Sequence, residues 1–171
     1  MLVIMAGLPG TGKSTLAAEL VRLHSGVVLS KDEIRAVLFR PPDIEYTAAQ
    51  DDFVMGIMLK TAGYLLRKEP TRLAILDGRT FSQQYQVERV RNFAAMIHQP
   101  VHILECVCSE ESARVRLERQ QADGTHPAAN RDFALYLAVK ARFQPILPPK
   151  TVIDTDQSLE TCLSLASEAL P

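Results

Sequence analysis

An open α/β fold, a parallel sheet with helices on both faces, is predicted from three observations. Short apolar runs of strand length alternate with longer segments whose apolar residues recur about every three to four positions, the pattern of successive βαβ units. Most of the short runs are apolar on consecutive residues, as strands buried on both faces are. A Gly-rich consensus stands at the first strand-to-helix junction.

In order, strands are expected over residues 2–6, 27–29, 73–76, 101–107 and 151–153. Helices are expected over 13–24, 31–39, 47–67, 83–98, 110–121, 131–142 and 158–170. Leu16, Leu20 and Leu23 form the core-facing stripe of the first helix, and Phe53, Ile57, Leu59 and Ala62 that of the third. Pro41-Pro42-Asp43, Asp123-Gly124 and the stretch from Pro145 to Pro149 mark turns. Neither an internal repeat nor an interdomain linker interrupts the pattern, so residues 1–171 read as one domain.

Composition excludes several classes. With 171 residues, 47% of them hydrophobic and 23% charged, the chain has material for a real core, which argues against disorder. Apolar runs are too short for a membrane helix and the start lacks a secretory leader, so no membrane partner and a cytoplasmic location are expected. Three cysteines give no disulfide framework. The formal charge of −1 supplies no protein-wide positive field, so a polyanion would need a local patch.

Gly7-Leu8-Pro9-Gly10-Thr11-Gly12-Lys13-Ser14 fits G-x-x-x-x-G-K-[ST] at every fixed position, directly after an apolar strand and before an amphipathic helix. Its glycines let backbone N–H groups converge on a phosphate, and the helix N-terminus adds its positive end. Lys13 is placed to bridge the β- and γ-phosphates of ATP, and the Ser14 hydroxyl to join the shell of Mg²⁺. Thr15 closes the nucleotide-binding run as the next helical residue.

What is missing narrows the class. No N-K-x-D follows Asn92 or Asn130, which removes guanine specificity. The third strand ends Leu76-Asp77-Gly78 rather than in Asp-Glu, so the carboxylate that would activate water for a motor ATPase is absent. A small kinase remains, passing the phosphoryl group to a bound hydroxyl.

Three polar constellations follow expected strands, at the edge where an open α/β sheet binds ligands. In Ser30-Lys31-Asp32-Glu33-Ile34-Arg35, Asp32 and Arg35 share a helical face, suiting a carboxylate that takes the acceptor's proton beside an arginine that holds an anion. Ser30 and Glu33 equally make a plain capping box. Asp77 ends a buried strand and needs a partner, either Mg²⁺ with its waters or a structural hydrogen bond; Arg79 and Thr80 follow and can face the acceptor. Arg116 and Arg119 share a face of the helix after the fourth strand, as a lid over nucleotide phosphates requires, whereas Arg114 is spaced to pair with Glu110 on the surface. Positive charge beyond one lysine favours a catalytic part for Arg116.

These segments together, G-L-P-G-T-G-K-S-T, S-K-D-E-I-R, L-A-I-L-D-G and A-R-V-R-L-E-R-Q, resemble the kinase domain of the polynucleotide 5′-hydroxyl kinases and their zeta-toxin and chloramphenicol phosphotransferase relatives, often grouped as ATP-binding AAA-type proteins. The resemblance runs from about residue 2 to 145. It implies a phosphate-loop NTPase fold of the nucleoside-kinase type, with five parallel strands in the order 2-3-1-4-5. It further implies that Asp32 is the general base, that Arg35 meets the acceptor-side phosphate, and that Arg116 and Arg119 are the arginines of a lid over about residues 114–130. Gly78-Arg79 departs from the pattern, since those kinases often carry a hydroxyl or small residue and then Asn or Thr.

His24, His98, His102 and His126 lack metal-ligand spacing, and Cys106 and Cys108 lack further ligands. The expectation is a kinase dependent on ATP and Mg²⁺, with Lys13, Asp32, Arg116 and Arg119 in catalysis, Ser14 and Asp77 at the metal, and Arg35, Arg79 and Tyr46 at the acceptor. A small hydroxylated molecule is preferred as acceptor over a nucleic acid 5′ end, because aromatics are 6% and Asp51 and Asp52 would repel a phosphate backbone. The rival of another class is an ATP-binding switch or adaptor without transfer chemistry.

Overall fold

Residues 1–123 and 132–170 are described by the computed structural model. Five strands, β1 (Leu2–Ala6), β2 (Gly26–Ser30), β3 (Leu73–Asp77), β4 (Val101–Val107) and β5 (Thr151–Asp154), form one sheet in the order β2-β3-β1-β4-β5. All neighbours run parallel, with Leu2 opposite Ala74 on one side and Val101 on the other. This is the expected class and order.

Helices α1 (Lys13–Leu23), α2 (Lys31–Leu38), α3 (Ala48–Lys68), α4 (Gln84–Met96), α5 (Glu110–Asp123), α6 (Phe133–Ala141) and α7 (Leu159–Glu168) connect and cover the strands. The period of two in a strand assigns β1 to two cores at once. Leu2, Ile4 and Ala6 pack with Val54, Met58 and Ala62 of α3 and Val87 and Val90 of α4. Val3 and Met5 pack on the opposite face with Leu16 and Leu20 of α1 and Cys162 and Ala166 of α7. A third, smaller cluster joins Ala113 and Leu117 of α5 to Tyr136 of α6, with Leu8 packed against it.

Two expected stripes are corrected. Phe53 is exposed and Ile57 only partly covered, because α3 lies on the sheet through Val54, Met55, Met58, Leu59, Ala62 and Leu66; Phe53 instead meets Phe39 edge-on at 6.0 Å. Leu23, in the last turn of α1, is exposed as well. No helix among the described residues is long and apolar enough to cross a membrane.

Cys106, Cys108 and Cys162 are free thiols. Burial pushes the Cys106 thiol up to about 12 from an ordinary value near 9. The folded chain holds the thiol neutral, so its contribution to stability is complete below about pH 9 and is lost as the pH rises through about 12. The melting temperature is therefore expected to fall between about pH 9 and 11, and to fall less steeply in Cys106→Ala. Parallel alkaline limbs for the two proteins in a calorimetric pH series would contradict this.

Candidate functional site

The carboxyl ends of β1, β2 and β3 open together into a cavity of about 540 Å³. Lys13, Ser14, Asp32, Arg35, Tyr46, Asp77 and Arg79 all line it. Residues separated by more than sixty positions are thus brought to one edge by the crossover connections.

The loop after β1 is built around a close backbone approach. Gly7 has φ +128°, and a Cβ there would stand 2.2 Å from the Cys106 carbonyl oxygen, so a side chain is excluded. Side chains cap α2, α3, α6 and α7 through Ser30, Thr47, Asp132 and Ser158, whereas α1 starts after Gly12 with no side-chain cap. The first N–H groups of α1 are therefore left to an anion, with the dipole in its favour. Thr11 Oγ1 donates to Leu8 O at 2.8 Å, and Lys13 Nζ donates to Leu8 O at 2.5 Å and Thr11 Oγ1 at 3.3 Å. Gly10, Thr11, Gly12 and Lys13 thereby close one turn of chain around the helix start, and Ser14 and Thr15 are its exposed next residues.

Asp77 is 3% exposed, and its Oδ1 atom has no hydrogen-bond partner. A buried carboxylate oxygen left so is costly unless a cation completes it. Together with the Ser14 hydroxyl on the same cavity wall, it makes an all-oxygen pair suited to Mg²⁺, which keeps most of its waters and takes few protein ligands. These two residues would hold the ion, and it would neutralise phosphate charge there.

Asp32 stands in the first turn of α2, where Ser30 Oγ accepts from the Glu33 N–H, so the capping half of the motif is real. Its carboxylate nevertheless faces the cavity. Arg35 Nη1 donates to Asp32 Oδ1 at 3.0 Å, and Lys31 Nζ lies 3.6 Å from the same oxygen. Both cations also reach Asp51 in the first turn of α3, Lys31 at 2.9 Å and Arg35 through Nη2. Lys31 carries no assigned role in the sequence, and Asp51 only that of repelling a phosphate backbone, whereas here it is engaged by both cations; what marks Lys31 is its place between Ser30 and Asp32 in a segment that must turn into the site.

The β3–α4 loop is threaded tightly past α2. Gly78 has φ +90°, and a Cβ on it would meet the Lys31 Cβ and backbone nitrogen at 3.0 Å. The departure at Gly78-Arg79 follows from this packing, since only Gly lets the chain pass and deliver Arg79 to the cavity. Gly7 N–H donates to Thr80 O at 3.1 Å, which ties this loop to the phosphate loop. Phe81 then anchors it, fully buried at φ +53°, a strained backbone for a bulky residue worth about 1–3 kcal/mol. Arg79 is 4% exposed; it donates to Asp52 Oδ1 at 2.7 Å and Tyr85 Oη at 3.2 Å, and Arg89 reaches the same Asp52 oxygen at 3.3 Å. Tyr46 carries the Arg35 guanidinium over its ring at 5.4 Å, and Tyr85 carries Arg79 at 5.9 Å.

The arginines of α5 do not act together. Arg116 is directed to the segment after β5, where it donates to Thr155 O at 2.7 Å, Thr155 Oγ1 at 3.0 Å and Gly10 O at 3.4 Å. Thr155 Oγ1 donates in turn to Thr11 O at 3.2 Å, so Arg116 buttresses the phosphate loop from outside the cavity lining. Arg119, about 60° short of a full turn further on, is 85% exposed and lies 3.7 Å from Asp123. It does not join the cavity. Arg114 pairs with Glu111 and Glu110 with Lys140, in place of the expected pair between Arg114 and Glu110. Of the lid expected over 114–130, residues 124–130 lie outside the described residues, as does His126. No group of His, Cys, Asp and Glu able to hold a metal occurs among the described residues. Arg116→Ala is expected to weaken ATP binding about tenfold, the loss of hydrogen bonds from a charged group, with kcat little changed. Intact ATP affinity with a reduced kcat would instead place Arg116 on the transferring phosphoryl group.

Solved structures with this architecture include kinases. A kinase candidate from Chloroflexus aurantiacus superimposes with a TM-score of 0.77 at 22% identity, over 99% of this chain and 98% of its own. Kti12 from Chaetomium thermophilum, in complex with ADP-AlF3, gives 0.73 at 16% identity over the full length of both chains. A sugar kinase from Janibacter sp. gives 0.70 at 15%, over 98% and 92%. At these identities the likeness is one of fold. A search of curated proteins finds no match. Residues 2–146 match the AAA domain family, and with most of the chain inside that match, the protein belongs to this family of phosphate-loop proteins with a kinase-like fold.

Proposed function

We propose that the protein is a phosphotransferase that moves the γ-phosphoryl group of ATP, with Mg²⁺, to a hydroxyl of a small-molecule acceptor. The observation that carries the reading is that Asp32 shares one cavity with Lys13, Ser14 and Asp77. The acceptor hydroxyl gives its proton to the Asp32 carboxylate as its oxygen attacks the γ-phosphorus. The bond from that phosphorus to the β–γ bridging oxygen breaks, and ADP leaves with the electron pair. Lys13 balances charge on the β- and γ-phosphates. Arg35 and Lys31 hold the Asp32 carboxylate in place. The resemblance of S-K-D-E-I-R to the polynucleotide 5′-hydroxyl kinases supports the role of Asp32. Structural neighbours that are a sugar kinase, a gluconokinase from Sinorhizobium meliloti, and an APS kinase from Mycobacterium tuberculosis bound to AMPPNP and APS support the reaction class.

The test is a γ-labelled ATP transfer screen of sugars, sugar acids, nucleosides, aminoglycoside-type compounds and oligonucleotides at two salt concentrations. Label on a small acceptor is the expected result. Labelling of oligonucleotide 5′ ends that weakens steeply with salt would replace the small acceptor by a nucleic acid. No labelled product, with slow hydrolysis identical in wild type and Asp32→Asn, would replace the enzyme by a nucleotide-dependent switch.

A further inference from the structure

We infer that the acceptor is an uncharged hydroxyl compound with an apolar face, selected by a site whose buried charges cancel among themselves; this rests on the phosphotransfer proposed above. Beyond the phosphate loop the cavity is lined by three buried cations, Lys31, Arg35 and Arg79, which are 8%, 2% and 4% exposed. Three carboxylates match them. Asp32 and Asp51 take Lys31 and Arg35, and Asp52 takes Arg79. Arg89 reaches Asp52 from outside the lining, and Arg142 borders the cavity from the exposed end of α6, so the remaining positive charge stands in solvent, where it is screened.

A charged group brought into such an enclosure gives up its water and meets only charges that are already matched. An anion would have to draw Arg35 or Arg79 away from a carboxylate, and a cation would have to do the same to Asp51. Arg35 has one Nη engaged by Asp32 and the other by Asp51, and Arg79 has one by Asp52 and the other by Tyr85. The Nε atoms of both are buried without a partner, out of reach of a molecule in the cavity. A phosphate on the acceptor, which the resemblance gives to Arg35, would thus meet a guanidinium engaged at both ends.

What the lining offers instead is neutral. Leu135 and Val139 of α6 and the rings of Tyr46 and Tyr85 supply apolar surface. Ser82, from the β3–α4 loop, is 6% exposed and lines the cavity, and its hydroxyl makes no hydrogen bond among the described residues. A buried hydroxyl in that state is completed by a polar group of the ligand. Apolar walls with a few placed polar groups, around a space of this volume, are the usual form of a small-molecule site.

Selection lies with the two aspartates of α3, so these are the residues to change. Inorganic sulfate is titrated into wild type, Asp51→Asn and Asp52→Asn, each saturated with AMPPNP and Mg²⁺, with the arginine Nε–H resonances followed by NMR. Wild type should show no saturable shift at millimolar sulfate, whereas a variant with a buried cation released should bind it. Unchanged affinity for AMPPNP reports an intact fold, and Asp52→Asn, which leaves the ion pairs of α2 in place, keeps the test open if Asp51→Asn does not fold. Saturable sulfate binding to wild type, or none to either folded variant, overturns the inference. Transfer assays compare glucose with glucuronate and glucosamine, and adenosine with adenosine 3′-monophosphate. A kcat/KM higher by about tenfold or more for the uncharged member is expected, with the preference narrowed toward the anion in Asp51→Asn. Equal or reversed ranking in wild type overturns the inference. Failure of the whole acceptor screen, with sulfate still excluded by wild type and admitted by a variant, removes the kinase reading and leaves the selection against charge standing.

Discussion

Asp32→Asn is expected to leave ATP affinity within about twofold while phosphoryl transfer falls by a factor on the order of 10² to 10⁴, the usual contribution of a positioned general base. The amide keeps the size of the carboxylate and one oxygen that can still accept from Arg35 Nη1, so the fold of α2 is preserved. What it lacks is the capacity to take a proton. The adjacent cations also lose one counter-charge, but Asp51 continues to hold both. Single-turnover transfer with labelled ATP, beside calorimetric nucleotide binding, separates the two quantities. Normal turnover in this variant would remove Asp32 from the chemistry, and a parallel loss of ATP affinity would make it an organiser of the loop instead.

Lys13→Ala is expected to abolish measurable ATP binding. The Lys13 side chain is buried at the head of α1 and is the phosphate loop's own cation. Charged hydrogen bonds to two phosphates, at about 1.5–3 kcal/mol each, correspond to a loss of at least about 10²-fold. The substitution also removes the donor that links Leu8 O and Thr11 Oγ1 across the loop. Melting curves make the comparison direct: ATP with Mg²⁺ should raise the melting temperature of the wild type and leave that of Lys13→Ala unmoved. Equal upward shifts in both proteins would show that nucleotide affinity does not depend on this lysine.

The fold was legible because its signals are local. The consecutive apolar residues of β1 and β3 are buried on both faces, whereas the edge strands β2 and β5 are only partly covered, and the loop consensus needs Gly7 where the Cys106 carbonyl comes close. The order of the strands came from the resemblance; no local pattern distinguishes β3 from β4 as the neighbour on a given side of β1. Asp32, Asp77 and Arg79, at or just after strand ends, were legible as residues of the cavity edge for the same local reason. Lys31, Asp51, Asp52, Tyr85, Arg142 and Thr155 were not given their parts, because each acts on a group 16 to 39 positions away or on a cavity formed by separate elements. Arg119 shows the converse. Its spacing from Arg116 satisfies a helical face, yet Arg116 is drawn to Thr155 and Arg119 remains with Asp123 in solvent.

Asp51 and Asp52 are neighbours in the first turns of α3, yet they bind different bodies: Asp51 holds α2 through Lys31 and Arg35, and Asp52 holds the β3–α4 loop and α4 through Arg79 and Arg89. Adjacent helical residues project about 100° apart. Rolling α3 about its own axis in either sense would thus stretch one set of ion pairs while compressing the other. The helix is torsionally pinned at its first turns, and the angular setting of α2 relative to Arg79 is inherited from that pin.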